Sequence, residues 1–136
     1  AYFLIPFLLK DTGSYKNWAV EPGLHNLTKL FVGTNGLGIW DELFFISTVL
    51  GIFRKYFSFI FANFAQSILF TSFLYELGFW GWAFVAIFIF ALIQGYIFKK
   101  TESLFYVITI HLTLDLILYL ALIQIHHPDW IKLFIT

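Results

Sequence analysis

The chain is 136 residues long, 60% hydrophobic and 23% aromatic, with 12% charged residues and a net charge of zero. A soluble domain carries roughly 25% charged residues, so half that share, with a mean hydropathy of +0.84, excludes an ordinary water-soluble globule and points to the lipid bilayer as the chain's surroundings. No basic stripe is present to neutralise phosphates, which excludes nucleic acid as a partner, and the absence of cysteine excludes disulfides and zinc–thiolate sites.

Crossing the hydrocarbon core takes about 20 apolar residues. Residues 1–9 are apolar but too short for that, and they start without methionine, as expected of the tail of a helix cut upstream. No basic residue precedes them, so no cleavable signal is recognisable. Residues 10–38 are the polar exception, with Asp11, Ser14, Lys16, Glu21 and Pro22. They predict a surface loop with a short interfacial helix at 24–32, after which Gly33, Gly36 and Gly38 break the chain.

Four complete spans are expected next, at 39–53, 57–77, 82–98 and 104–125. The first ends in Arg54 and Lys55, and the third in Lys99 and Lys100. Residues 78–81 make an uncharged turn, while Thr101 and Glu102 suit the start of the fourth span. His126, His127, Pro128 and Asp129 interrupt the chain, and 130–136 begins a further apolar piece. The expected fold is all-α: a polytopic transmembrane bundle with four complete spans and partial helices at both ends. It forms a single membrane domain over 1–136, with the surface loop at 10–38 and the core at 39–125. Alternating spans put both basic loops on one side, which the positive-inside rule makes cytoplasmic.

Polar residues inside the spans carry the functional signal. With a rise of roughly 1.5 Å per residue, Glu42 lies about 18 Å from the basic turn that follows it. His111 lies about 15 Å and Asp115 about 21 Å from Thr101. All three fall near the middle of a core about 30 Å thick. His111 and Asp115 share a helix face, and Asn63, Ser67 and Thr71 form a polar stripe at four-residue steps with Gln66 alongside. A carboxylate facing lipid at mid-depth costs about 2.5 to 3.5 kcal/mol, so these groups should face the bundle interior.

Two readings of Asp41 and Glu42 stand: they line a buried polar cavity, or they mark a helix start at the headgroups beside Trp40. His111 with Asp115 is either a structural tie between helices or a metal or catalytic pair. The stripe of Asn63, Ser67 and Thr71 suits helix packing. His25, His126 and His127 are expected to be ordinary surface histidines, and Trp80, Trp82 and Trp130 to be interfacial anchors.

These residues fit a known pattern. The chain resembles the CPBP intramembrane proteases, also called the Abi or type II CAAX prenyl endopeptidase family. That family is marked by E-E-x-x-x-R, then F-x-x-x-H, then H-x-x-x-N or H-x-x-x-D in successive helices. The first motif aligns with Asp41 and Glu42 followed by Ile46, the second with Phe70 and Leu74, and the third with His111 and Asp115. Residues 95–116 (GYIFKKTESLFYVITIHLTLDL) match the family's rhythm best. The resemblance implies a hydrolase in which Asp41 or Glu42 acts as general base on a water. His111 and Asp115 would orient the reaction or, with one acid, bind a divalent metal such as zinc. It also implies a membrane-associated peptide or prenylated protein tail as substrate. The departures are Ile46 in place of arginine and Leu74 in place of histidine, which neither ligates a metal nor donates a hydrogen bond. The divergent endopeptidase therefore stands beside two alternatives. One is a catalytically silent relative acting as a membrane scaffold or binding subunit for another membrane protein; the other is a proton- or ion-relay transport subunit.

Overall fold

The computed structural model describes residues 18–134, and every regular element among them is helical. Helix α1 runs over Leu24–Tyr56, α2 over Phe59–Glu76, α3 over Trp82–Thr101 and α4 over Leu104–His126. Three of these are long and apolar enough to cross a membrane: α1, α3 and α4. The expectation of four complete spans is corrected at α2. Six of its 18 residues are Asn63, Gln66, Ser67, Thr71, Ser72 and Glu76, and that polar content sets it apart from its neighbours.

The start of α1 is a second correction. Leu24 begins the helix, so the short interfacial helix expected at 24–32 runs on unbroken through 33–38 as part of a span. Gly33, Gly36 and Gly38 lie inside it. A glycine weakens an isolated helix by roughly 1 kcal/mol, but it also lets another helix come close. At Gly38 that second property decides. A Cβ there would overlap Asp115 Oδ2 and sit 3.3 Å from His111 Cδ2, so Gly38 is the point where α4 presses against α1. Gly95 does the same for α3 against α2, where a Cβ would overlap the Asn63 carboxamide. The expected partial helix at residues 1–9 lies outside the described residues. At the other end, residues 130–134 are not helical: the Leu133 and Phe134 amides donate to Gln124 Oε1, both at 2.8 Å.

Midway along α1 the hydrogen-bonding widens. Leu24–Asp41 is α-helical, Glu42–Leu50 is a π-helix, and Gly51–Tyr56 is α-helical again. The burial pattern explains why. Asp41, Glu42, Phe45, Ile46 and Leu50 are all buried. In an α-helix, positions 41 and 50 lie about two and a half turns apart and face opposite ways. The i→i+5 spacing of a π-helix brings all five toward the bundle.

The helices meet in pairs, α2 against α3 and α1 against α4, with the π segment touching α2, α3 and α4. Ile46, Leu50, Ala62 and Val107 form one apolar cluster, and Phe45, Phe70, Leu74, Ala121 and Leu122 belong to a larger one. Turns are defined by local chemistry. Ser58 caps α2, its hydroxyl accepting from the Phe61 amide, and Ser103 caps α4 by accepting from Tyr106. Thr101 and Glu102, expected to start α4, instead close α3, with Glu102 in the left-handed conformation at φ 49°. Arg54 and Glu102 form an ion pair at 3.4 Å, which brings the two basic loops to one end of the bundle. Trp80, Trp82 and Trp130 are all exposed.

Candidate active site

The middle of α1 supplies two adjacent carboxylates, and both are inside. Asp41 and Glu42 are each 2% exposed, with 17 helical residues before Asp41 and 14 after Glu42 within Leu24–Tyr56. They do not mark a helix start. Trp40 beside them stacks on Phe44 at 4.9 Å instead of ending the helix.

From α4, His111 reaches across to Glu42, its Nδ1 lying 2.7 Å from Glu42 Oε1. With Nδ1–H donating to the carboxylate, the ring's orientation follows, and Nε2 is left toward Asp115, 3.7 Å from its Oδ1. Two aromatic edges hold the imidazole plane: Phe70 of α2 at 6.0 Å and Phe90 of α3 at 5.2 Å, each at 87°. Three distant parts of the chain thus converge on one ring.

Gln94 of α3 completes the arrangement. Its Nε2 donates to Glu42 Oε1 at 2.8 Å and to the Val107 carbonyl at 3.0 Å. Sequence reading passed over this residue. Its signal was that it is the one carboxamide in a helix of otherwise apolar and aromatic side chains up to the basic end. The expected stripe on α2 divides its work. Asn63 donates to the Leu92 carbonyl, and Gln66 donates to Asn63 Oδ1, Ser67 Oγ and the Ala91 carbonyl. It ties α2 to α3.

Two cavities open on this cluster. The larger, about 540 Å³, is lined by Asp41, His111 and Asp115 together with Leu74, Phe79 and Ala83. The smaller has room for about one water molecule, about 10 Å³. Asp41, Glu42, Gln66 and Gln94 line it, with Ile46 and Phe45. Asp41 lines both. Leu74 therefore presents an apolar side chain where the resemblance implies an imidazole, and Ile46 does so where it implies a cation.

The zinc arrangement expected from His111, Asp115 and one acid is not formed. Among the described residues no three of His, Cys, Asp and Glu are grouped to hold a metal ion. His127, expected at the surface, is half-buried: its ring stacks on Trp130 at 4.0 Å, and Nε2 lies 2.8 Å from the Val20 carbonyl.

A family model described as Type II CAAX prenyl endopeptidase Rce1-like matches residues 24–117, more than two-thirds of the chain. No curated protein and no solved structure matches at a significant level. The matched region holds all of Asp41, Glu42, Gln94, His111 and Asp115. The chain belongs to the type II CAAX prenyl endopeptidase Rce1-like family, and with its three apolar spans it is an integral membrane protein.

Proposed function

We propose, from that family membership, that the chain is an intramembrane endopeptidase that cuts a membrane-associated peptide or prenylated protein tail. The observation that carries this reading is the convergence of Asp41, His111 and Asp115 on one cavity of about 540 Å³ with largely apolar walls. Such a cavity accepts an apolar chain while offering polar groups at one end.

Amide hydrolysis needs a water made nucleophilic and a place for the charge that develops on the carbonyl oxygen. Access to the large cavity favours Asp41 over Glu42 as the group that takes the water's proton. Asp41 lines the large cavity, whereas Glu42 Oε1 is engaged by His111 and Gln94. Glu42 then acts as a positioning residue, fixing the imidazole so that Nε2 serves the cavity. In this scheme the His111 ring is the imidazolium, with an N–H at both nitrogens: water attacks the scissile carbonyl, its proton passes to Asp41, and the N–H on Nε2 supports the oxyanion. The amine leaves with the proton that Asp41 holds. Asp115, beside Nε2, balances the charge on the ring.

The basic end, where Arg54 pairs with Glu102 and Lys99 lies over Phe59 at 4.3 Å, is assigned to the cytoplasm on the positive-inside rule. The test is cleavage of a membrane-tethered, prenylated peptide by the purified protein in lipid nanodiscs. Asp41→Asn and His111→Ala should each abolish cleavage while the protein still inserts. Full cleavage by both variants would leave this reading without support.

A further inference from the structure

Five buried side-chain oxygens among the described residues lack a protein hydrogen-bond partner: Asp41 Oδ1, Glu42 Oε2, Gln66 Oε1, Gln94 Oε1 and Asp115 Oδ2. The first four belong to residues that line the small cavity. With both carboxyl groups ionised, all four are acceptors. Neither carboxamide can be turned to offer a donor instead. Gln66 Nε2 already faces Asn63 Oδ1, Ser67 Oγ and the Ala91 carbonyl, and Gln94 Nε2 faces Glu42 Oε1 and the Val107 carbonyl. Reversing either amide would set oxygen against oxygen.

A single water in that space has two protons for four acceptors. A cation satisfies all four at once. The donor set is all oxygen, two carboxylates and two carboxamides, which suits a hard ion and not zinc, whose sites favour nitrogen and sulfur. Size and ligand number narrow the class. Mg²⁺ keeps several of its waters, and Ca²⁺ takes 6–8 oxygens; a cavity with room for about one water and four side-chain oxygens accommodates neither. We infer that Asp41, Glu42, Gln66 and Gln94 form a site for a dehydrated monovalent cation of sodium's size, enclosed between α1, α2 and α3. Ile46, 3% exposed and on the cavity wall, supplies no charge of its own there.

The inference goes beyond hydrolysis, and its test reads stability, so either idea can fail without the other. Thermal unfolding of the purified protein in nanodiscs is followed in NaCl, KCl and choline chloride at one fixed ionic strength. Sodium should raise the midpoint saturably over choline, on the order of several degrees, and potassium should raise it less. Ile46→Lys, which tethers an ammonium beside the four oxygens, should unfold at one midpoint in all three salts. Equal wild-type midpoints in sodium and choline would overturn the inference and leave the cavity to water. An effect of potassium as large as that of sodium would overturn the assignment of size, and a full sodium response in Ile46→Lys would overturn the assignment of place. If the lysine variant does not fold, the wild-type salt series decides alone.

Discussion

Glu42 Oε1 accepts from His111 and from Gln94 at nearly equal distances, 2.7 and 2.8 Å, so one carboxylate oxygen joins α1 to both α4 and α3. The pair of contacts gives Glu42 a different role from Asp41, its neighbour in sequence. Asp41 lines the cavity of about 540 Å³; Glu42 holds the ring that lines it too.

That division predicts unequal effects on catalysis. Asp41→Asn removes the proposed proton acceptor and should lower the cleavage rate by about 10²–10⁴-fold, the usual worth of general acid–base catalysis. Glu42→Gln keeps an acceptor for His111 but removes its charge, and should act mainly by loosening the imidazole, at about tenfold to a hundredfold. Single-turnover rates on a tethered peptide check the order. If Glu42→Gln proves the more damaging, the roles should be exchanged.

Gln94→Leu should destabilise the protein by about 1–3 kcal/mol, the range for losing one neutral and one charged-acceptor hydrogen bond, because the Val107 carbonyl and Glu42 Oε1 each lose a donor. The measurement is the unfolding midpoint in detergent, with Leu37→Ala as a comparison for simple loss of packing on the cavity wall. A Gln94 variant as stable as wild type would show that the carbonyl and carboxylate find other partners.

Gly38→Ala should lose about 1–3 kcal/mol, the range for overpacking, since the new methyl group meets Asp115. Gly36→Ala, two residues earlier with nothing within 4 Å of an added Cβ, should be neutral or gain up to about 1 kcal/mol from helix propensity. Paired unfolding curves test the contrast. Equal responses would mean that α1 and α4 are farther apart at Gly38 than the geometry states.

Arg54→Ala should change stability by less than about 1 kcal/mol. The ion pair with Glu102 is long, at 3.4 Å, and the two side chains are 30% and 63% exposed. On the positive-inside rule, charge at this position is expected to bear on orientation in the membrane more than on folding, so an accessibility assay of residues 54–59 is the more sensitive readout. A loss of several kcal/mol would sink this prediction.

Much of the site was legible before any coordinates. Counting helical rise put Glu42 and His111 at one depth because rise adds linearly and spans begin at recognisable charges; the two groups touch. Asp115 followed from its four-residue spacing. Other features left weaker traces. Gln94 is a single polar residue in an apolar helix and creates no periodicity. Gly38 looked like a chain breaker because glycine is one in water, whereas between apolar helices the missing Cβ marks close approach. The π segment was invisible to any method that assumes a constant turn. Helix α2 reads as a span by length alone, although its polar stripe serves contacts with α3.

The widened stretch of α1 also governs what the chain can lose. Upstream of it, Asp41 is phased to the cavity it shares with α4; downstream, Arg54 is phased to Phe59 and Glu102. Deleting one residue between 43 and 50 would draw the widened turns back toward α-helical winding and turn the buried set from Asp41 to Leu50 out of line with the bundle. In that stretch the number of residues is a stricter constraint than their identity. Exchanging Ser47 or Thr48, both pointing outward, should therefore be far milder than removing either.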